Sequence, residues 1–138
     1  MNKRLLLSAC ALIFFIWAIN SLANMFYWYS AIWWFDIPMH ILGGAFLALL
    51  LGAIFFKKLI SLNKKEIIIT VLLGVVIVGA GWEVFEYVVQ HLIKGLPLAN
   101  FPDSIKDMLM DIIGGFLASF FVLRAIKRYN IAHASTNL

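Results

Sequence analysis

Polar residues in this chain are confined to short gaps between four long apolar runs: Leu5 to Ala23, Ile37 to Phe56, Ile67 to about Ile93, and about Ile105 to Leu123. Crossing a bilayer core takes roughly 20 residues of α-helix, and a helix satisfies its own backbone hydrogen bonds where no water can. Each run has that length. The pattern therefore predicts an all-α polytopic membrane protein. A single four-helix transmembrane domain fills residues 1–138, with helices over about 5–23, 37–56, 67–93 and 105–123. The connections differ in kind: an aromatic segment NMFYWYSAIWWF (Asn24 to Phe35), a lysine loop KKLISLNKK (Lys57 to Lys65), and KGLPLANFPD (Lys94 to Asp103).

Composition supports this reading. With 64% hydrophobic residues, 13% charged and a mean hydropathy of +0.97, the chain has too little polar surface to cover a water-soluble globule. Its net charge of +4 reports topology rather than nucleic-acid binding, because Lys and Arg sit at the ends of apolar runs and form no basic stripe. Lys3, Arg4, Lys57, Lys58, Lys64, Lys65, Arg124, Lys127 and Arg128 fall on one side, with only Lys94 and Lys106 near the other. The positive-inside rule then places both termini in the cytoplasm of a multi-pass cell-membrane protein, and the aromatic segment at the outer interface as a flat-lying helix. Met1 to Ala23 has the outline of a signal peptide ending in Ser21-Leu22-Ala23, and Leu7 to Cys10 that of a lipoprotein box. The apolar run continues well past Cys10, which argues against the lipoprotein box; the segment is read as a span, and its cleavage as a signal peptide would not move the remaining helices. A single cysteine excludes an intramolecular disulfide and a multi-cysteine metal site.

The chemistry lies in the acids. Six of the seven, Asp36, Glu83, Glu86, Asp103, Asp107 and Asp111, lie in or at the outer ends of the second to fourth runs, and only Glu66 stands apart. Asp36 and His40 are spaced i,i+4, Glu83 and Glu86 i,i+3, and Asp103, Asp107 and Asp111 i,i+4,i+8, so each set shares one helix face. At 1.5 Å rise per residue, His40 lies one turn below the start of its helix, and Asp111 and Glu86 each about 10 Å in from the outer ends of theirs. Three faces can point at one centre.

A carboxylate in a membrane span costs several kcal/mol unless paired or hydrated, so intramembrane acids normally face the bundle interior. Neutralisation by Lys106 looks weak, since it sits on a different face from Asp103 and Asp107. The other routes are protonation of carboxyls with raised pKa, and a bound divalent cation. The cation is the expectation adopted here: His40, Glu83, Glu86, Asp107 and Asp111 form the centre, joined by Asp36 and Asp103. Hard oxygens with one imidazole suit Mg²⁺, Mn²⁺ or Fe²⁺ and can hold Zn²⁺. Asp36 before Ile37-Pro38 and Asp103 before Ser104 also read as helix N-caps. Gly43, Gly44, Gly114 and Gly115 are expected to permit close helix packing, and Gln90 and His91 to be interfacial. DIPMHILGG (Asp36 to Gly44) and DMLMDIIGG (Asp107 to Gly115) echo one another, as in a direct repeat of helical hairpins.

The order D-x-x-x-H-x-x-G-G (Asp36 to Gly44), GWEVFEY (Gly81 to Tyr87) and D-x-x-x-D-x-x-x-D-x-x-G-G (Asp103 to Gly115) resembles the small VanZ-like and YjdF-type integral membrane proteins over about 80 residues. The resemblance implies a short multi-helix protein with an Asp/His pair, a Glu-bearing helix and an acidic helix ending in Gly. Asp36, His40, Glu83, Glu86, Asp107 and Gly114 fall on that pattern. It also implies a cell-envelope role, associated with glycopeptide-antibiotic tolerance, and names no substrate.

Three functions fit these residues. The first is a metal-dependent enzyme acting by hydrolysis or phosphoryl-type transfer on a lipid or lipid-linked envelope substrate, with Glu83, Glu86 and Asp107 carrying catalysis and water as the attacker. The second is an ion-coupled transporter, which with only four helices requires a homodimer. The third is an accessory or resistance factor that binds an envelope component without turnover.

Overall fold

In the computed structural model, residues 1–89 and 101–134 are described, and among them helices are joined only by turns and short irregular links. The elements are α1 (Lys3–Met25), α2 (Trp28–Ala31), α3 (Asp36–Ile54), α4 (Phe56–Leu59), α5 (Lys64–Tyr87) and α6 (Phe101–Ala134). Four of them are long and apolar enough to cross a membrane: Lys3–Met25, Asp36–Ile54, Lys64–Tyr87 and Asp103–Ala134.

Several helices begin or end outside the apolar runs, and local chemistry explains why. Asn2 caps α1, its Oδ1 accepting from the backbone N–H of Arg4 (3.1 Å) and Leu5 (3.2 Å). Asn63 opens α5 in a reciprocal capping box with Glu66: Asn63 Oδ1 accepts from Glu66 N–H (3.0 Å), and Glu66 Oε2 from Asn63 N–H (2.9 Å). Capping is thus the role of the one acid that stood apart in the sequence. The last helix continues to Ala134, beyond the expected end at Leu123. Hydropathy marks where lipid ends, whereas Arg124, Lys127 and Arg128 are good helix formers and lie toward the end of the helix dipole that favours cations. The aromatic link, expected as an interfacial helix, forms one short helical turn, α2. Trp33 (84% exposed) and Tyr27 (76%) project from it.

Helix α3 is the hub of the bundle. It packs along most of its length on α6 and also receives α1 and α5. Contacts between α3 and α6 advance in the same direction along both helices, from Asp36 with Lys106 through Ile41 with Gly114 to Gly52 with Val122, so the two run parallel. They cross where a Cβ on Gly44 would overlap the Asp111 carbonyl and a Cβ on Gly114 would overlap that of Ile41. Only glycine allows two backbones so close. Farther from the acidic end, Ala48, Leu49, Ala53, Ala118 and Val122 meet Val71 and Val75 of α5 in one buried cluster. The outer surface is apolar too: Phe14, Trp17, Leu73, Ile77 and Phe121 are all more than half exposed. That surface suits lipid.

Candidate metal centre

Because α3 and α6 are parallel, their first turns open at the same end of the bundle, and the Gly44/Gly114 crossing brings those turns together. Asp36 is the first residue of α3, with Phe35 in the cap position and no side-chain cap bond. Its carboxylate turns inward, Oδ1 lying 3.6 Å from His40 Nε2. The same nitrogen is 3.8 Å from Asp107 Oδ2, while His40 Nδ1 is 3.5 Å from Asp111 Oδ1. These separations are long for hydrogen bonds and describe groups held around a common space. Asp36, His40 and Asp107 each offer one ligand atom, all within 4.8 Å of one another. Asp107 and Asp111 are both 7% exposed.

Lys106 is drawn into the cluster, contrary to the expectation that its helix face would keep it apart. Its Nζ lies 2.6 Å from Asp103 Oδ1, 3.4 Å from Asp107 Oδ1 and 3.9 Å from Asp36 Oδ2. The four-carbon stem is long and flexible enough to wrap to the neighbouring face, which Cβ direction alone does not reveal. Asp103 therefore serves as an exposed partner for Lys106 at the rim. The neutralisation is incomplete. Four aspartates face one ammonium and one imidazole, and Asp107 Oδ1 is buried without a hydrogen bond despite its nearby ammonium.

Glu83 and Glu86 approach from α5. A Cβ on Gly79 would sit 3.1 Å from Asp111 Oδ2, and Glu83 lies one turn beyond Gly79 on the same face, toward the acidic end. It is half-buried, and its Oε1 is buried with no hydrogen-bond partner. Glu86, also half-buried, acts electrostatically with Asp36 on Tyr29, a residue the sequence did not single out. Burial first, then the Asp36 and Glu86 carboxylates, holds the Tyr29 phenol above its ordinary range. Its hydroxyl donates to Asn20 Oδ1 of α1 (2.8 Å), and its ring meets Phe35 edge-on at 5.1 Å. Tyr29 itself stays 41% exposed, and the buried ring of this segment is that of Phe35, at 8%. Gln90, His91, Lys94 and the expected end of the third helix at residue 93 lie outside the described residues.

Asp36, His40 and Asp107 could hold a metal ion. Ligand bonds of about 2.1 Å put neighbouring donor atoms about 3 to 3.4 Å apart, so the donors 3.6 and 3.8 Å from His40 Nε2 would draw in by a few tenths of an ångström around an ion. Asp111 against Nδ1 leaves Nε2 facing the other two donors, the carboxylate–histidine–metal arrangement of many metal sites.

Residues 2–128 match a protein family described as predicted membrane protein, DUF2238. Neither the curated proteins nor the solved structures contain a match to this chain. The family match agrees with the expected small membrane protein but does not extend to the VanZ-like or YjdF-type assignment. With four spanning helices and a match over nearly its whole length, this multi-pass membrane chain belongs to the DUF2238 family of predicted membrane proteins.

Proposed function

We propose that the acidic end binds one divalent cation through Asp36, His40 and Asp107. The cation would serve hydrolysis or phosphoryl-type transfer on a lipid or lipid-linked envelope substrate reaching the site from the outer leaflet. The observation that carries the proposal is Asp107: a carboxylate 7% exposed, with one oxygen lacking a hydrogen bond and the other 3.8 Å from the inward nitrogen of His40. Asp107 and Asp36 share one ammonium, that of Lys106 (3.4 and 3.9 Å), and a further cation would complete their neutralisation at membrane depth. In this reading Asp111 orients His40, and Glu83, with its buried unpartnered oxygen, is the base that takes a proton from the attacking water. Glu86, which with Asp36 acts electrostatically on Tyr29, is assigned a supporting catalytic role. A bound metal of this kind polarises the substrate oxygen and lowers the pKa of its water. The outer-leaflet placement rests on the charge asymmetry of the sequence, and the envelope substrate on the resemblance to VanZ-like proteins.

The test is elemental analysis of protein purified without chelator, alongside His40→Ala and Asp107→Asn. One equivalent of a divalent metal in the wild type, lost in both variants, is the expected result. Wild-type protein without stoichiometric metal would sink the proposal.

A further inference from the structure

At the opposite end of the bundle, the start of α1, the α3–α4 junction and the extension of α6 border an open cavity of about 300 Å³. Its lining includes Lys3, Arg4, Phe56, Lys57, Ile60 and Tyr129. Its walls are held together: Asn2 N–H donates to the Ala53 carbonyl (3.0 Å), tying the segment before α1 to the end of α3, and Tyr129 packs edge-on against Phe56 at 5.5 Å. Three cations line it and no acid does. Among the described residues no carboxylate pairs with Lys3, Arg4 or Lys57, and Glu66 is engaged in the α5 capping box. Beside the cations, Phe56 and Ile60 supply an apolar wall and Tyr129 an aromatic ring with a hydroxyl. Cations above an apolar wall, at the end of a transmembrane bundle, match a phosphate carried on an apolar body.

We infer that this cavity binds the phosphate of one anionic phospholipid, held by Lys3, Arg4 and Lys57 with its glycerol and upper acyl region against Phe56 and Ile60. Arg4 offers the forked donor geometry that suits a phosphate diester, while the lysines act as point charges. The site requires only an anionic lipid in the adjoining leaflet, and it is independent of the metal centre.

The test reconstitutes the full chain in phosphatidylcholine with and without phosphatidylglycerol and counts retained lipid by native mass spectrometry. Wild-type protein is expected to retain one phosphatidylglycerol. Lys57→Gln is expected to weaken retention about fivefold, and Lys3→Gln with Lys57→Gln about 25-fold. Lys64→Gln with Lys65→Gln, at the same end but outside the cavity, is expected to change it by less than about twofold. Ile60→Trp keeps every charge, and so leaves topology undisturbed, but fills the cavity, and it too is expected to lose the lipid. Equal losses in the two lysine pairs, retention by Ile60→Trp, or no preference for phosphatidylglycerol in the wild type would each overturn the inference. Inorganic phosphate displacing the bound lipid at equal concentration would reassign the cavity to a soluble anion.

Discussion

His40 presents a different neighbour to each ring nitrogen: Asp111 to Nδ1, and Asp36 and Asp107 to Nε2. That division of labour makes Asp107 and Asp111 of α6 separable. Asp111→Asn should leave the metal bound but weakened by roughly tenfold or more, as loss of an orienting carboxylate does, whereas Asp107→Asn should abolish binding. Titration of chelator-treated protein with Mn²⁺ or Zn²⁺ distinguishes the two, and equal effects would argue against an orienting role. Asp107→Asn should also remove all stabilisation of the fold by added metal. In the wild type that stabilisation is about 2.7 kcal/mol at a metal concentration 100 times Kd. Lys106 competes with the cation for Asp36 and Asp107. Lys106→Gln should therefore tighten metal binding, on the order of tenfold at low salt and less at high salt, because the ammonium is partly exposed.

Among elements, the α3–α6 crossing decides whether the site exists. An alanine at Gly44 or Gly114 places a methyl on a backbone carbonyl of the facing helix, and a backbone cannot rotate away as a side chain can. Either substitution should destabilise the bundle by roughly 2–4 kcal/mol and lower metal affinity by moving His40 away from α6. Gly81→Ala is the matched control. A Cβ there meets nothing within 4 Å, so the higher helix propensity of alanine should make it neutral or stabilising by up to about 1 kcal/mol. Thermal unfolding in detergent reads both, and a Gly114→Ala protein as stable as Gly81→Ala would contradict the close crossing. The echo between DIPMHILGG and DMLMDIIGG bears on the same pair. His40 and Asp111 occupy matching positions in it and face one another, yet the tight contacts join Gly44 to Asp111 and Gly114 to Ile41, which are not matching pairs.

For the whole molecule, the cationic cavity and the carboxylate cluster occupy opposite ends of one bundle, the end of α3 at the cavity and its start at the cluster. The charge asymmetry leads us to expect the cavity end in the cytoplasm. Fusions at residue 134 should then make a cytoplasmic fluorescent reporter glow, and fusions within residues 26–35 should activate a periplasmic phosphatase; the reverse pattern would invert the assignment. The number of spans, the spacing of acids on each face and the glycine pairs could all be read from the sequence, because hydrophobic run length and helical period are local properties. Where helices end was less legible, since lysines and arginines stop an apolar run without stopping a helix. What only the tertiary structure decided was which groups share the site. The wrap of Lys106 to Asp36, the influence of Asp36 and Glu86 on Tyr29, the two-sided setting of His40 and the cavity around Lys3, Arg4 and Lys57 all depend on which helix lies beside which. That choice comes from how closely two backbones can approach at Gly44 and Gly114, a distance between residues far apart in the chain that no local pattern encodes.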